Sequence, residues 1–573
     1  MRSLLLFAFA LPLLSQPVVL LNGYQFAPCD AVTAEDTFGQ LPQKLRDLGR
    51  EVVFFNNCSV PAPAGAIRPG LEAIAAALGD RIAAISAPQV DVVVHSMGGL
   101  ILRTYLSGRQ PNGAFRPPLN HKVRKAVFLG TPQFGPGLAP ILLTLNGSDP
   151  QVRQIVPGSP FIFELATWNQ LGDDLRGVDA VNVIGNVSNG SDGLVPVPSA
   201  SLAFANEPER TRVVPYCHTN VGVLAFISQG CSRPPYLASV NSDDHLSWRI
   251  IRSFLGSTDE WRTLGTALPA DPIGSTRGGL LVVARDKDDN PLTGVTTVTA
   301  GSTSLQKVSE HYYAEQIATG AQNIAVASSA GNLTAPQTIS PGLYSVAVVK
   351  PGPRATAVLP AAGRVPTRSL APGMFVSIYG ATLANESAAA SSLPLPTTLA
   401  ATQLLAGSNP IGLQFAGPTQ INAILPEDAS GLLTLTVRSP GGASRINVFI
   451  EPAVPAIFTQ TGTGSGPASA LQALSGIVVS AIAKARAGDI VSLYLTGLGA
   501  TETRDGLQWA KLQPKLFVGN LEAQITYAGR APGFAGLDQI NFVVPAGVPS
   551  GDSTPLRVES NGRVSNVVTL PTL

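Results

Sequence analysis

Charge is scarce in this chain. Asp, Glu, Lys and Arg make up 13% of its 573 residues, and 38 basic residues against 37 acidic ones leave a formal net charge of +1. No basic face stands out, which argues against nucleic acid as a partner. There are five histidines and four cysteines, and no spacing among them suggests zinc. Neither a metal nor an organic cofactor is called for. Beyond the N-terminus no apolar run approaches the ~20 residues needed to span a membrane. The one apolar run of note, residues 4–14 behind Arg2, has the length of a secretory h-region. It predicts a signal peptide over 1–16, cut near Ser15 or Gln16, and so a secreted protein, whether extracellular, periplasmic or on the cell surface. Export makes disulfides possible. Of the three pairings that four cysteines allow, Cys29–Cys58 and Cys217–Cys231 are expected, because each pair flanks neighbouring loops of one domain.

Hydrophobic residues are plentiful at 45%, as are glycine (57) and proline (48), which suits several cores and turn-rich β-domains. Residues 17–256 alternate strands with helices: strands over 17–21, 51–55, 90–94, 123–129, 180–184 and 212–216, helices over 38–48, 71–85 and 246–255. That alternation predicts a parallel sheet in a three-layer α/β/α arrangement, with the chemistry at the carboxyl ends of the strands. Residues 257–276 read as a linker. Residues 277–351, rich in valine, threonine and glycine, read as a small β-sandwich. The stretch 355–573 repeats itself. Ala371-Pro372-Gly373-Met374-Phe375-Val376-Ser377-Ile378-Tyr379-Gly380 corresponds to Ala487-Gly488-Asp489-Ile490-Val491-Ser492-Leu493-Tyr494, and Gln420-Ile421-Asn422 to Gln539-Ile540-Asn541. The offsets, 115 residues at Gly373 and Gly488 and 119 at Gln420 and Gln539, indicate duplication of one β-sandwich unit, 355–460 and 461–573. The Gln-Ile-Asn triplets read as turn and edge hydrogen bonding rather than as a site.

The chemistry concentrates in Val90-Asp91-Val92-Val93-Val94-His95-Ser96-Met97-Gly98-Gly99. A buried β-branched strand breaks at small residues into a helix, which places Ser96 on a nucleophile elbow. Val94 stands where the usual Gly-x-Ser-x-Gly pattern has its first glycine. A serine hydroxyl needs a base. His95 is read as pointing away from the elbow, His121 precedes a strand at the wrong end of the sheet, and His311 belongs to the β-module. His245, heading the closing helix, is the favoured base, with His218 as the alternative. Asp192, in Ser191-Asp192-Gly193-Leu194-Val195-Pro196, follows a strand and is the expected third member. The backbone N–H groups of Met97 and Tyr24 are the expected oxyanion donors. Residues 138–171 read as a helical cap lining an acyl pocket.

With Leu21-Asn22-Gly23, His95-Ser96-Met97-Gly98-Gly99, Gly130-Thr131-Pro132-Gln133-Phe134-Gly135 and Ser191-Asp192-Gly193-Leu194-Val195-Pro196 in view, the first domain resembles a bacterial lipase or esterase of the α/β-hydrolase fold. Asn22 stands where such lipases usually carry histidine. Asp244-His245-Leu246 is similar to the catalytic-histidine region of inositol-deacylase-like lipases. Residues 277–351 loosely resemble carboxypeptidase-regulatory-like modules. The duplicated region resembles the C-terminal domain of secreted acidobacterial proteins of the Solibacter type. Together these imply an α/β-hydrolase followed by all-β, immunoglobulin-like sandwiches, an ester or lipid substrate, and attachment to a cell surface or polymer through the β-domains. The same triad would also serve an amidase or acyltransferase, and a surface-attachment protein with an inactive hydrolase domain is the reading from another class.

Overall fold

The computed structural model describes residues 16–25, 28–137, 147–170, 175–187, 190–202, 207–218, 242–269, 277–363, 365 and 368–573. Seven strands form the first sheet: β1 (Val18–Leu21), β2 (Val52–Phe55), β3 (Val90–His95), β4 (Val123–Leu129), β5 (Asp179–Gly185), β6 (Thr211–Val214) and β7 (Thr266–Ala267), in the order β2-β1-β3-β4-β5-β6-β7. Strands β1 to β6 run parallel, and β7 adds an antiparallel edge from the stretch read as a linker. This mostly parallel sheet, flanked by helices, is the α/β-hydrolase architecture.

The strands are short β-branched runs because both of their faces are covered. Successive side chains point to opposite sides, so Val19, Leu21, Val92 and Val94 share one core with helices α3 (Leu71–Ala83) and α4 (Gly98–Ser107). Val18, Leu20, Val93 and Val127 share the other with α1 (Ala34–Phe38), α2 (Leu41–Asp47) and the closing helix, Leu246–Leu255. The expected single helix over 38–48 is two helices, because Gly39 takes a φ of +55° between them. Such a left-handed residue stops a helix.

After α4 come α5 (Pro150–Gln154), α6 (Pro160–Thr167) and the short α7 (Val197–Ala200). Of the expected cap, residues 138–146 and 171 lie outside the described residues. Its helix α6 buries Phe161, Ile162 and Leu165 in the α3/α4 core. The opposite face of this stretch is covered by the β-region: Phe163 stacks on His311 at 4.2 Å, and Trp168 meets Phe449 at 5.7 Å. The described part of the cap is thus a bridge between sheet and β-region, which favours a structural role for it over the lining of an acyl pocket.

The C-terminal region is built almost wholly of strands. Two four-stranded sheets cover one core between 277 and 349, and two further pairs of sheets enclose separate cores over 354–450 and 456–572. The duplication visible in the sequence has a hydrogen-bonded counterpart. Ser377 pairs across strands with Asn422, and Ser492 with Asn541. Ser377 Oγ and Gln420 Nε2 both donate to Asn422 Oδ1 (3.0 and 2.7 Å), and Ser492 Oγ and Gln539 Nε2 do the same to Asn541 Oδ1 (2.8 Å each). The triplets therefore sit within the sheets, sealing a cross-strand polar pair, and are not at an edge.

Where α3, α4 and α6 meet, Arg109 binds Glu72 and, through Nε and Nη2, Glu164 at 3.1 and 2.7 Å. Arg109 and Glu72 are 8% and 6% exposed, so removing one partner strands a buried charge. Arg109→Ala is expected to lower stability by about 3 kcal/mol, read as the urea midpoint of the N-terminal domain's transition. The uncharged pair Arg109→Met with Glu72→Gln should lose less, because neither buried charge is then left alone.

Candidate active site

The chain leaves β3 into α4 through Ser96, whose φ is +55°. A non-glycine residue in this region is strained by about 1–3 kcal/mol, and the surroundings must hold it there. They do so on three sides. Ser96 N–H donates to Leu129 O at 2.9 Å, continuing the β3–β4 pairing beyond the strand. Gly23 lies so close that a Cβ on it would come within 2.6 Å of Ser96 Cβ. Gly98 and Gly99 open α4 where a Cβ would meet Leu21 O and Asn22 O at 2.8 and 2.7 Å, or Thr131 Oγ1 at 2.1 Å. Val94 is tolerated in place of glycine because its side chain points into the α3/α4 core, fully buried, rather than at the turn.

His218, four residues past the end of β6, reaches this serine. Its Nε2 lies 2.9 Å from Ser96 Oγ, and its Nδ1 lies 2.7 Å from Asp192 Oδ2. Asp192 is 2% exposed. Its other oxygen, Oδ1, accepts the N–H groups of Leu194 (2.9 Å) and Val195 (2.7 Å) in the tight turn that Gly193 allows with a φ of +96°. The backbone locks acid to base as well, since His218 N–H donates to Asp192 O at 3.0 Å. With two N–H donors on one oxygen and an imidazole on the other, the carboxylate can orient the ring and balance a charge on it.

The structure does not bring His245 to Ser96. This residue caps the closing helix, α8 (Leu246–Leu255), and its ring stacks on Tyr216 at 4.3 Å with 18° between planes. Tyr216 Oη in turn accepts Leu246 N–H at 3.1 Å, which fixes the pair against the helix start. Of the two candidate histidines, the structure brings His218, and not His245, within hydrogen-bond distance of Ser96. Chain order could not separate them, because both histidines follow Asp192. His218 directly follows a parallel strand at its carboxyl end, whereas His245 begins a helix that packs on the face of the sheet.

His95 was expected to point away, yet its ring lies 5.0 Å from that of His218, and its Nε2 lies 3.2 Å from His218 O. Burial, followed by the neighbouring His218, pushes its pKa down to about 3. His95 thus stays neutral beneath the base and can donate Nε2–H to the carbonyl. The Cys29–Cys58 bond is present. Cys217 is disulfide-bonded, but the Cys217–Cys231 pairing involves Cys231, which lies outside the described residues.

Of the expected oxyanion donors, Met97 is the N-cap of α4, buried at 1% exposure, and Tyr24 follows Gly23 in the loop after β1. Tyr24 Oη donates to Asp149 Oδ2 at 2.7 Å, Arg68 lies over its ring at 4.5 Å, and Arg68 also pairs with Asp149 at 3.3 Å. Burial and the Asp149 carboxylate raise the Tyr24 phenol well above its ordinary pKa, so it acts here as an anchor. Two residues beside this loop carried no assignment from sequence. Asn56 and Asn57 follow β2 at the functional end of the sheet and bind the loop directly. Their signal was positional, a paired asparagine just past a parallel strand and ahead of Cys58. Among the described residues no His, Cys, Asp and Glu cluster could hold a metal ion, and no helix is long and apolar enough to cross a membrane.

No family model and no curated protein matches the chain. Among solved structures it is similar to the phospholipase PlaB from Legionella pneumophila, with 14% identity, 58% of this chain and 94% of that one covered, and a TM-score of 0.42. It is also similar to the Bacillus licheniformis lipase BlEst2. The mature form gives 20% identity over 37% of this chain and 89% of that one with a TM-score of 0.27, and the propeptide form 13% over 76% and 93% with 0.30.

The depressed His95 pKa has a consequence for stability. The unfolded chain takes up a proton near pH 6.5 that the native ring refuses until about pH 3. Stability therefore falls as pH drops through this window. Melting curves at pH 8 and 5 should show a larger loss for the wild type than for His95→Gln, which keeps an N–H donor but cannot titrate.

Proposed function

We propose that the N-terminal domain is a serine hydrolase of carboxylic esters, lipid esters among them, working through Ser96, His218 and Asp192. The observation that carries this reading is the unbroken chain from Ser96 Oγ to His218 Nε2 (2.9 Å) and from His218 Nδ1 to Asp192 Oδ2 (2.7 Å) on a strained elbow. Ser96 Oγ adds to the ester carbonyl carbon as its proton passes to His218 Nε2. The carbonyl oxygen becomes an oxyanion facing the N–H groups of Met97 and Tyr24. Collapse expels the alcohol, protonated by His218, and leaves an acyl-serine. Water then attacks, giving up a proton to His218, and the carboxylic acid leaves as the proton returns to Ser96. Asp192 holds the ring with Nε2 toward the serine and stabilises the imidazolium at each stage.

Preference for esters, and for lipids in particular, rests on the resemblance of the four motifs to bacterial lipases and esterases. Amide cleavage or acyl transfer would use the same atoms. The apolar run over residues 4–14 supports export, and the Cys29–Cys58 bond supports an oxidising compartment. Attachment to a surface or polymer is assigned to the β-rich C-terminal region.

The test is hydrolysis of short- and long-chain p-nitrophenyl esters, beside labelling by a fluorophosphonate. Ser96→Ala and His218→Ala are expected to lose about 10⁴-fold or more in kcat, and Asp192→Asn about 10⁴-fold. His245→Ala should keep turnover near that of the wild type. A wild-type protein inert toward both esters and the probe would sink the proposal and favour the attachment reading. Probe labelling without ester turnover would shift it to amides or acyl transfer.

A further inference from the structure

The hydroxyl, imidazole and carboxylate of the triad are held by their own turns, but the oxyanion loop Asn22-Gly23-Tyr24 is held from outside. Asn57, 3% exposed, donates its side-chain Nδ2 to two consecutive carbonyls, Asn22 O at 2.6 Å and Gly23 O at 2.8 Å. Its backbone N–H donates to Asn22 Oδ1 at 3.0 Å. Both carbonyls accept only, so the amide group of Asn57 must face them with its NH₂. Asn57 is fixed in turn by its neighbours. Asn56 Nδ2 donates to Cys29 O at 2.9 Å, Asn22 Nδ2 donates to Asn56 Oδ1 at 3.2 Å, and Cys58 is bonded to Cys29.

A trans peptide places the N–H of one residue opposite the C=O of the residue before it, and the peptides here are trans. Drawing the Asn22 and Gly23 carbonyls to Asn57 therefore turns the N–H groups of Gly23 and Tyr24 away from Asn57. The same loop lies with Gly23 against Ser96. We infer that Asn57 is a positioning residue of the oxyanion hole: it sets the two peptide planes so that Tyr24 N–H is presented to the oxyanion formed at Ser96. The inference rests on the serine-hydrolase reading. It also accounts for Asn22 in the place of the usual histidine, because the Asn22 amide closes the network reciprocally with Asn56 and Asn57.

The experiment compares the full chain with Asn57→Asp, whose carboxylate has the same shape but cannot donate to a carbonyl. Hydrolysis of p-nitrophenyl butyrate is measured per site titrated with a fluorophosphonate, so unfolded protein does not count. Affinity for a trifluoromethyl ketone, which adds to the serine to give an oxyanion, is measured beside it. The expected result is a loss of about 10²-fold in kcat per titrated site, the low end for losing an oxyanion donor. KM should change by less than about threefold, and ketone affinity should fall in step with kcat/KM. A kcat per titrated site within about threefold of wild type overturns the assignment, as does a ketone affinity that stays put while kcat falls. Should Asn57→Asp give no titratable protein, Asn57→Ser, with one donor in place of two, is judged by the same criteria. A wild type without esterase activity or labelling removes the serine-hydrolase reading and this inference together. An active wild type with an indifferent Asn57 removes this inference alone.

Discussion

The close approach of Gly23 to Ser96 is the constraint around which the N-terminal domain is arranged. Parallel pairing of β1 with β3 puts Leu21 beside Val94, so the two chains leave the sheet together and at one level. One must turn sharply into a helix and the other must pass over the turn. No side chain fits between them, which requires glycine at 23 and 98, and Thr131 presses on 99 from the loop after β4. Ser96 is the one side chain admitted at the apex, with a backbone strained to φ +55°. A large buried sheet can hold such strain because a shift at the elbow would disturb the packing of Val92 and Val94 against α3 and α4.

Asp192 and His218 are held by a different means. Asp192 sits in a turn that uses its side chain as an internal acceptor, so it would be fixed there even with no histidine near. His218 then docks on it twice, through ring and backbone. His218 is placed by the loop that holds Asp192. His95, kept neutral by burial, sits with Nε2 3.2 Å from the His218 carbonyl and brings no charge there.

How much of this was legible in the sequence follows from the same division. The elbow announced itself, because a β-branched run ending in Ser96-Met97-Gly98-Gly99 has few other packings. Asp192 was legible through its Asp-Gly turn after a strand. The choice of His218 over His245 was not, because chain order admits both. What separates them is the contact of Nδ1 with a carboxylate across 26 residues and the stacking of His245 on Tyr216, and neither leaves a periodic trace. Asn57 was invisible for a related reason: its partners are main-chain carbonyls, which every residue has. The repeated sandwich unit was legible because Ser377 with Asn422 and Ser492 with Asn541 impose matching residues at matching strand positions.

The β-region is packed against the N-terminal domain rather than tethered to it. Phe134, in the loop after β4, stacks on Tyr344 of the first β-unit at 4.2 Å with 5° between planes. Gly137 lies between the Glu315 carboxylate and Pro196, the residue that closes the Asp192 turn, and a Cβ there would sit 3.1 and 3.2 Å from them. Farther along, Arg563 bridges the Glu451 carboxylate (2.7 Å) and Arg176 O (2.6 Å). Burial at the Gly137 contact raises the Glu315 pKa to about 7. Its folded value thus lies above its unfolded one, so the contact is most favourable below about pH 4.5 and weakens as pH rises toward 7. A carboxyl that prefers to be neutral, set beside the turn that carries Asp192, ties the β-unit to that turn through packing rather than charge. The turn that holds Asp192 is therefore backed, through Gly137, by Glu315 of the β-region.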